Sequence, residues 1–174
     1  IGVSEWTAGQ LECAATLARD LKIPFVSNQP QYSMLWRVIE TEVIPACEKL
    51  GIGQIVWSPM AQGVLSGKYV PGQPPPEGSR ATHVTGSQFI ARFMNDEVLT
   101  RVQQLKPIAQ EAGLSMPELA IAWVLQNPNV SSAIVGASRP EQVRDNVKAS
   151  GVILDAAIMK RIDEVVGNVV ERDP

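Results

Sequence analysis

No part of this 174-residue chain is basic: 15 lysines and arginines stand against 18 aspartates and glutamates, and the net charge is -3. Without a cationic block, a general nucleic-acid or anionic-membrane surface is excluded as the expected partner, and any phosphate ligand has to be gripped locally. Histidine is nearly absent. His83 is alone, so a histidine-based metal cluster has no material, and its place among prolines and glycines makes it a surface residue. The two cysteines, Cys13 and Cys47, fall inside helix-like apolar patterns and cannot build a disulfide framework, which makes a reducing cytoplasm the expected compartment. No uninterrupted apolar run approaches the ~18 residues of a membrane span. Neither GxGxxG nor GxxxxGK[ST] occurs, so the usual nucleotide fingerprints are missing as well.

What is present is an ordered composition, 45% hydrophobic and 19% charged, long enough for one domain with a core over residues 1–174. Strand and helix patterns alternate along it. Ile1 to Ser4 is a short apolar run, and Thr7-Ala8-Gly9-Gln10 has the spacing of a capping box ahead of Leu11, Ala14, Ala15, Ala18 and Leu21. A second strand is predicted from Ile23 toward Gln29, then a helix ending at Leu50 with Gly51 as its stop and Pro45 opening or kinking it. The third strand runs from Gln54 to Ser58. After it comes "VPGQPPPEGSRATHVTGSQ", the main part of a Pro/Gly-rich loop over 70–95 that reads as mobile or ligand-covering. Helices are predicted over Asp96 to Ala112, with a kink at Pro107, and from Pro117 behind a second capping box, Ser115-Met116-Pro117-Glu118. A strand over Ser132 to Val135, a helix opened by Pro140 and a last helix over Asp155 to Val166 complete the chain.

Four strand-helix units predict a parallel sheet with helices outside it. Polar residues cluster after each strand: Ser4-Glu5, Asn28-Gln29, Ser58 and Ser138-Arg139. That is the end of an α/β sheet where ligands bind, and four units are half of an eightfold barrel. The third of these ends continues as "IVWSPMAQGVLSGKY", a buried strand that breaks at Ser58-Pro59 and passes through Gly63 and Gly67 to Lys68, the ingredients of a local phosphate grip.

Six stretches, "IGVSEW", "VSNQPQYSMLWR", "IVWSPMAQGVLSGKY", "PPPEGSR", "LAIAWVLQNP" and "AIVGASRPEQVRDN", taken in order, resemble the C-terminal half of an aldo-keto reductase, most closely the subgroup of potassium-channel beta subunits and bacterial general-stress oxidoreductases. The resemblance implies a (β/α)8 TIM barrel of which this chain is strands five to eight, binding NADPH or NADP at the C-terminal strand ends. It further implies that Ser4 and Gln29 hold the nicotinamide carboxamide and that Trp57 lies against the nicotinamide ring. Ser58, Pro59, Met60, Ala61, Gln62 and Gly63 would wrap the pyrophosphate, mainly through backbone N–H groups. Lys68 and Arg80 resemble the loop cations on the phosphates. Gly136, Ser138 and Gln142 would meet the 2'-phosphoadenosine end, Asp145 and Asn146 the adenine amino group, and Arg139 sits where it could add a contact to the 2'-phosphate. Each has a plainer reading: Trp57 as a core aromatic, Lys68 and Arg80 as solvated charges. Glu5 departs from the residues more common after that serine, and Tyr32 reads as packing or pocket wall.

The function implied is reduction of aldehydes or ketones to alcohols by hydride transfer, with a small carbonyl compound as substrate and no nucleic-acid or membrane partner. The alternative is an NADPH-binding redox-sensing or channel-beta-like regulatory subunit with slow turnover. In this family the catalytic acid and its supporting residues lie on the first four strands, outside the matched stretches. Because the chain opens at Ile1 inside a strand and without Met, it is expected to belong to a longer polypeptide. A half barrel would leave an apolar interior exposed, so a missing N-terminal half or a second copy is expected to cover it.

Overall fold

In the computed structural model, which describes residues 1–173, the first unit forms as its caps dictate. β1 is Gly2–Val3, and α1, Ala8–Asp20, opens on Thr7, whose hydroxyl accepts from the Gln10 N–H while the Gln10 side chain accepts from the Thr7 N–H. Both otherwise orphaned donors are satisfied, the reciprocal arrangement of a capping box. β2 is shorter and later than expected: only Ser27–Asn28 is strand, although the ladder begins at Val26, whose N–H donates to Ile1 and whose carbonyl accepts from Gly53. Pro24, which has no N–H to give a ladder, keeps Ile23 to Phe25 out of it.

α2, Val43–Leu50, carries Pro45 in its first turn, where a missing N–H costs nothing. It ends at Gly51 with φ +70°, the left-handed stop that glycine alone adopts without strain. β3 is Gly53–Trp57. The loop beyond it is more structured than its composition suggests, with 3-10 turns at Ala61–Ser66 and Arg80–Thr82 and the short α3, Ser87–Ile90. The predicted kink at Pro107 is a break: α4 is Asp96–Gln104 and α5 is Lys106–Glu111. α6, Met116–Leu125, has the second capping box on Ser115 and Glu118. β4, Val130–Ile134, starts two residues before the predicted strand, and α7, Pro140–Val147, and α8, Ala156–Val166, follow. Ser115→Ala should cost about 1 kcal/mol, the usual worth of an N-cap hydroxyl, read as a lower urea midpoint at unchanged slope.

All four strands are parallel and pair in chain order, β1-β2-β3-β4, with an irregularity between Gln54 and Ile55 against β4. Along β3 the alternation is strict: Gln54 and Val56 are buried while Gly53, Ile55 and Trp57 are half-buried. The buried set faces the helices. Val56 joins the main core with Leu119, Ala122 and Trp123 of α6 and Val102 and Leu105, and a smaller cluster of Leu11, Cys47 and Ile52 packs α1 and α2 onto β1. Between them Gln54 is fully buried, accepting from Asn28 at 3.3 Å and donating to Asn129 at 2.9 Å, which ties β2, β3 and the turn before β4 together.

Among the described residues no helix covers the other face of the sheet. Small and hydroxylated residues share part of that face: a Cβ added to Gly2 would fall 2.2 Å from Ser27 Oγ and one on Gly53 2.5 Å from Ser131 Oγ. Its apolar groups are the half-buried Ile55 and Trp57 of β3 and the exposed Ile134, which pairs with Trp57.

Candidate functional site

β3 leaves the sheet through a segment whose backbone is unusual. Ser58, Ala61 and Gln62 all have φ near +50 to +60° (59°, 47° and 58°), and Gly63 has φ +97°. Non-glycine residues rarely adopt this region, and a run of them marks a loop whose shape is over-determined by its surroundings. The Ser58 hydroxyl supplies part of that determination by accepting from the Gln62 N–H at 3.0 Å and from Gln62 Nε2 at 2.9 Å. The N–H groups of Ala61 and Gly63 donate to the carbonyls of Ser58 and Met60. Three N–H groups of this loop, those of Ala61, Gln62 and Gly63, close the loop on itself, and around them stand the side chains of Ser58, Gln62, Lys68 and Arg80.

Those side chains meet across a cleft of about 550 Å³ between the β3 loop and the end of β4. One wall is Ser58, Pro59, Met60, Gln62, Gly63, Ser66, Lys68 and Arg80; the other is Ile134, Val135, Gly136, Ala137, Ser138, Gln142 and Asn146, with Pro117 between them. Lys68 is exposed, its Nζ 5.2 Å from the centre of the Tyr69 ring, and it passes over Gly63, where a Cβ would lie 3.8 Å from the ammonium. Arg80 reaches back from the Pro-rich loop and donates to Gln62 Oε1 at 2.7 Å. Gln62 thus bridges Ser58 and Arg80 with its side chain, a role beyond the backbone one expected of it. Among the described residues the lining holds two cations and no carboxylate. In a chain of net charge -3 this is a locally positive concavity.

On the far wall Gln142 Oε1 accepts from Ser138 N–H at 2.7 Å and from its hydroxyl at 3.2 Å, which fixes the entry to α7. Asn146 is buried there and faces the cleft. Three expected residues stand apart. Asp145 is turned to Lys148, at 2.7 Å, and holds that ammonium above its ordinary pKa through the hydrogen bond first and its charge second. Arg139 is exposed on a shallow surface with Arg144 beside it, and Ala61 is fully buried, so only its backbone can face a ligand.

Ser4, Gln29 and Trp57 stand at the C-terminal ends of the first three strands, outside the cleft lining but on the same edge of the sheet. The Ser4 hydroxyl donates to the Gln29 carbonyl at 2.7 Å, which leaves its lone pairs as acceptors. Trp57 is half-buried, and its Nε1–H donates to Glu5 at 2.6 Å. Tyr32 is packing, as its motif position implied: it is buried 5.2 Å from the Trp123 ring, and its hydroxyl donates to Glu40 at 2.8 Å. Burial first, and then the Glu40 carboxylate, raise its pKa far above the ordinary tyrosine value, so it holds its proton. Trp36 lies under the Arg92 guanidinium, 4.5 Å from its ring centre. His83 is exposed beside Thr85. Sequence reasoning missed five lining residues: Ser66, Ile134, Val135 and Ala137 lie inside or beside the motifs that follow β3 and β4, whereas Pro117 reaches the cleft only because α6 packs against the β3 loop.

Among the described residues no helix is long and apolar enough to cross a membrane, and no three His, Cys, Asp or Glu side chains gather as a metal site. Residues 1–166 match the model of the aldo/keto reductase family. The chain belongs to the aldo/keto reductase family. Its four strands and their helices are half of that family's (β/α)8 barrel, strands five to eight. Among its relatives are a probable voltage-gated potassium channel subunit beta of Arabidopsis thaliana, 43% identical over 98% of this chain and 53% of the relative, and one of Oryza sativa subsp. japonica, 41% identical over the same shares. A putative subunit of the same description in Schizosaccharomyces pombe is 41% identical over 95% of this chain and 49% of the relative. The chain spans about half the length of the curated relatives it matches.

Proposed function

We propose that this chain is the cofactor-holding half of an NADPH-dependent reductase of aldehydes or ketones. The observation that carries the reading is the cleft at the C-terminal strand ends, lined by Lys68 and Arg80 with no carboxylate, on the same sheet edge as Trp57. Two cations matched to a pyrophosphate, with an aromatic surface alongside, suit a dinucleotide better than a metal or a neutral metabolite. When bound, the dinucleotide supplies a hydride from its reduced nicotinamide. The residues of this chain bind and orient. Lys68 and Arg80 neutralise phosphate charge, Ser58 and Gln62 hold Arg80 in place, and Asn146 and Gln142 present amides to the adenosine end. Ser4 Oγ accepts from the carboxamide N–H2 and the Gln29 side chain completes its pairing, which fixes the face of the ring. Trp57 covers the other face. The residues that donate a proton to the carbonyl oxygen belong to the other half of the barrel.

Titrating the intact protein with NADPH should quench tryptophan emission, and Trp57→Phe should remove most of that quenching. Full quenching in Trp57→Phe, or none in the wild type, would remove Trp57 from the site.

The names of the relatives favour a second reading, an NADPH-binding subunit of a channel in which occupancy regulates a partner. Steady-state oxidation of NADPH with a panel of aldehydes separates the two, since rapid turnover is incompatible with a slow sensor.

A further inference from the structure

Glu5 carries three features that the cofactor reading leaves unused. It is exposed at the end of β1, it holds a left-handed backbone with φ +58°, and one of its oxygens, Oε1, accepts from both Trp57 Nε1 and the Gln31 N–H at 2.6 Å. Gln31 is itself bridged to Trp57, and the Trp57 N–H donates to Pro30. A single carboxylate therefore joins the ends of β1, β2 and β3. A non-glycine residue held at positive φ is disfavoured unless its surroundings reward it, and here the reward is the reach of the carboxylate to the indole. The Glu5 Oε2 oxygen has no protein partner among the described residues.

We propose that Glu5 is a positioning residue that fixes the plane of the Trp57 indole and, by its charge, makes the site prefer oxidised over reduced nicotinamide. The proposal rests on the reading that nicotinamide lies against Trp57. An indole whose N–H is held by a carboxylate has one rotational setting instead of several, so its flat face is preorganised for stacking. The charge acts separately. Oxidised nicotinamide is a cation and the reduced ring is neutral, so a fixed anion at the edge of the aromatic platform attracts one redox form and leaves the other almost unaffected. A glutamate here biases the resting protein toward holding the oxidised cofactor.

The test compares Glu5→Gln, which keeps an oxygen acceptor and removes the charge, with Glu5→Ala, which removes both. In the intact protein, dissociation constants for NADP+ and NADPH are measured by calorimetry, and the indole N–H resonance of Trp57 is followed by NMR without cofactor. Glu5→Gln should leave the NADPH constant nearly unchanged and reduce the NADP+ preference about threefold to tenfold, the scale of one partly screened charge. Glu5→Ala should also move the indole resonance and weaken both forms. An unchanged NADP+/NADPH ratio in Glu5→Gln overturns the charge bias, and an unmoved resonance in Glu5→Ala overturns the positioning. If the wild type binds neither form while the resonance moves in Glu5→Ala, the cofactor reading itself fails and the redox preference with it.

Discussion

Lys68→Met is expected to weaken NADPH binding by the intact protein about tenfold to a hundredfold, the worth of one hydrogen bond to a charged group. The expectation follows from the surroundings of the ammonium. Among the described residues it has no carboxylate partner, it lies over Gly63, and it faces a cleft without acidic lining. Methionine keeps most of the stem and its packing on the Tyr69 ring and removes the charge. The folded state should barely notice, because an exposed cation-aromatic pair of this kind is worth about 0.5–1 kcal/mol at most. Affinity measured at rising salt gives the sharper readout. If Lys68 binds phosphate, wild-type affinity falls more steeply with ionic strength than that of the variant. Equal affinity and equal salt dependence would return Lys68 to the class of solvated surface charges. Arg80 is held by Gln62, so Gln62→Ala should reproduce part of an Arg80→Ala defect without removing a charge.

How much of this was legible in the sequence depends on the range of the interaction concerned. Caps are local: Thr7 with Gln10, Ser115 with Glu118 and Gly51 after Leu50 could be read from a few neighbouring residues, and each helix starts or stops there. The break at Pro107 was equally local. β2 lies later than its apolar pattern suggests, because its apolar residues precede the part that pairs and pairing is decided by neighbours far along the chain. At the site, the motifs located the β3 loop and the β4 turn, and the structure brings both to one cleft. The use of the loop N–H groups was not legible, since the residues at positive φ include Ala61 and Gln62, where no glycine announces the turn. Nor could Glu5 be joined to Trp57 across 52 positions by any sequence pattern.

The largest loss of stability is expected from Trp123→Ala, about 3–5 kcal/mol, enough to unfold a marginal domain. Trp123 is 3% exposed in the last turn of α6, with the Tyr32 ring 5.2 Å away on one side and the Arg37 guanidinium 4.4 Å from its ring centre on another. Arg37 is itself buried, pairs with Asp163 of α8 at 2.7 Å and donates through Nε to the Met34 carbonyl at 3.1 Å, so the indole forms one wall around a buried cation. Removing it leaves a cavity and an under-packed guanidinium together, two costs that add. A second effect runs the other way. The Trp123 Nε1–H is buried with no hydrogen-bond partner among the described residues, an arrangement that itself costs about 1–3 kcal/mol. Trp123→Phe keeps a ring under Arg37 and beside Tyr32 while deleting that donor, so it should fall within about 1 kcal/mol of wild type by urea denaturation. The pair of variants thus separates packing from polarity. The damage in Trp123→Ala should also reach the site, because Tyr32, which loses its neighbour, donates its backbone N–H to the carbonyl of Trp57 at 3.2 Å. At temperatures where Trp123→Ala is still folded, NADPH quenching should weaken in that variant and persist in Trp123→Phe. Equal quenching in both would show that Tyr32 holds the end of β3 without help from α6.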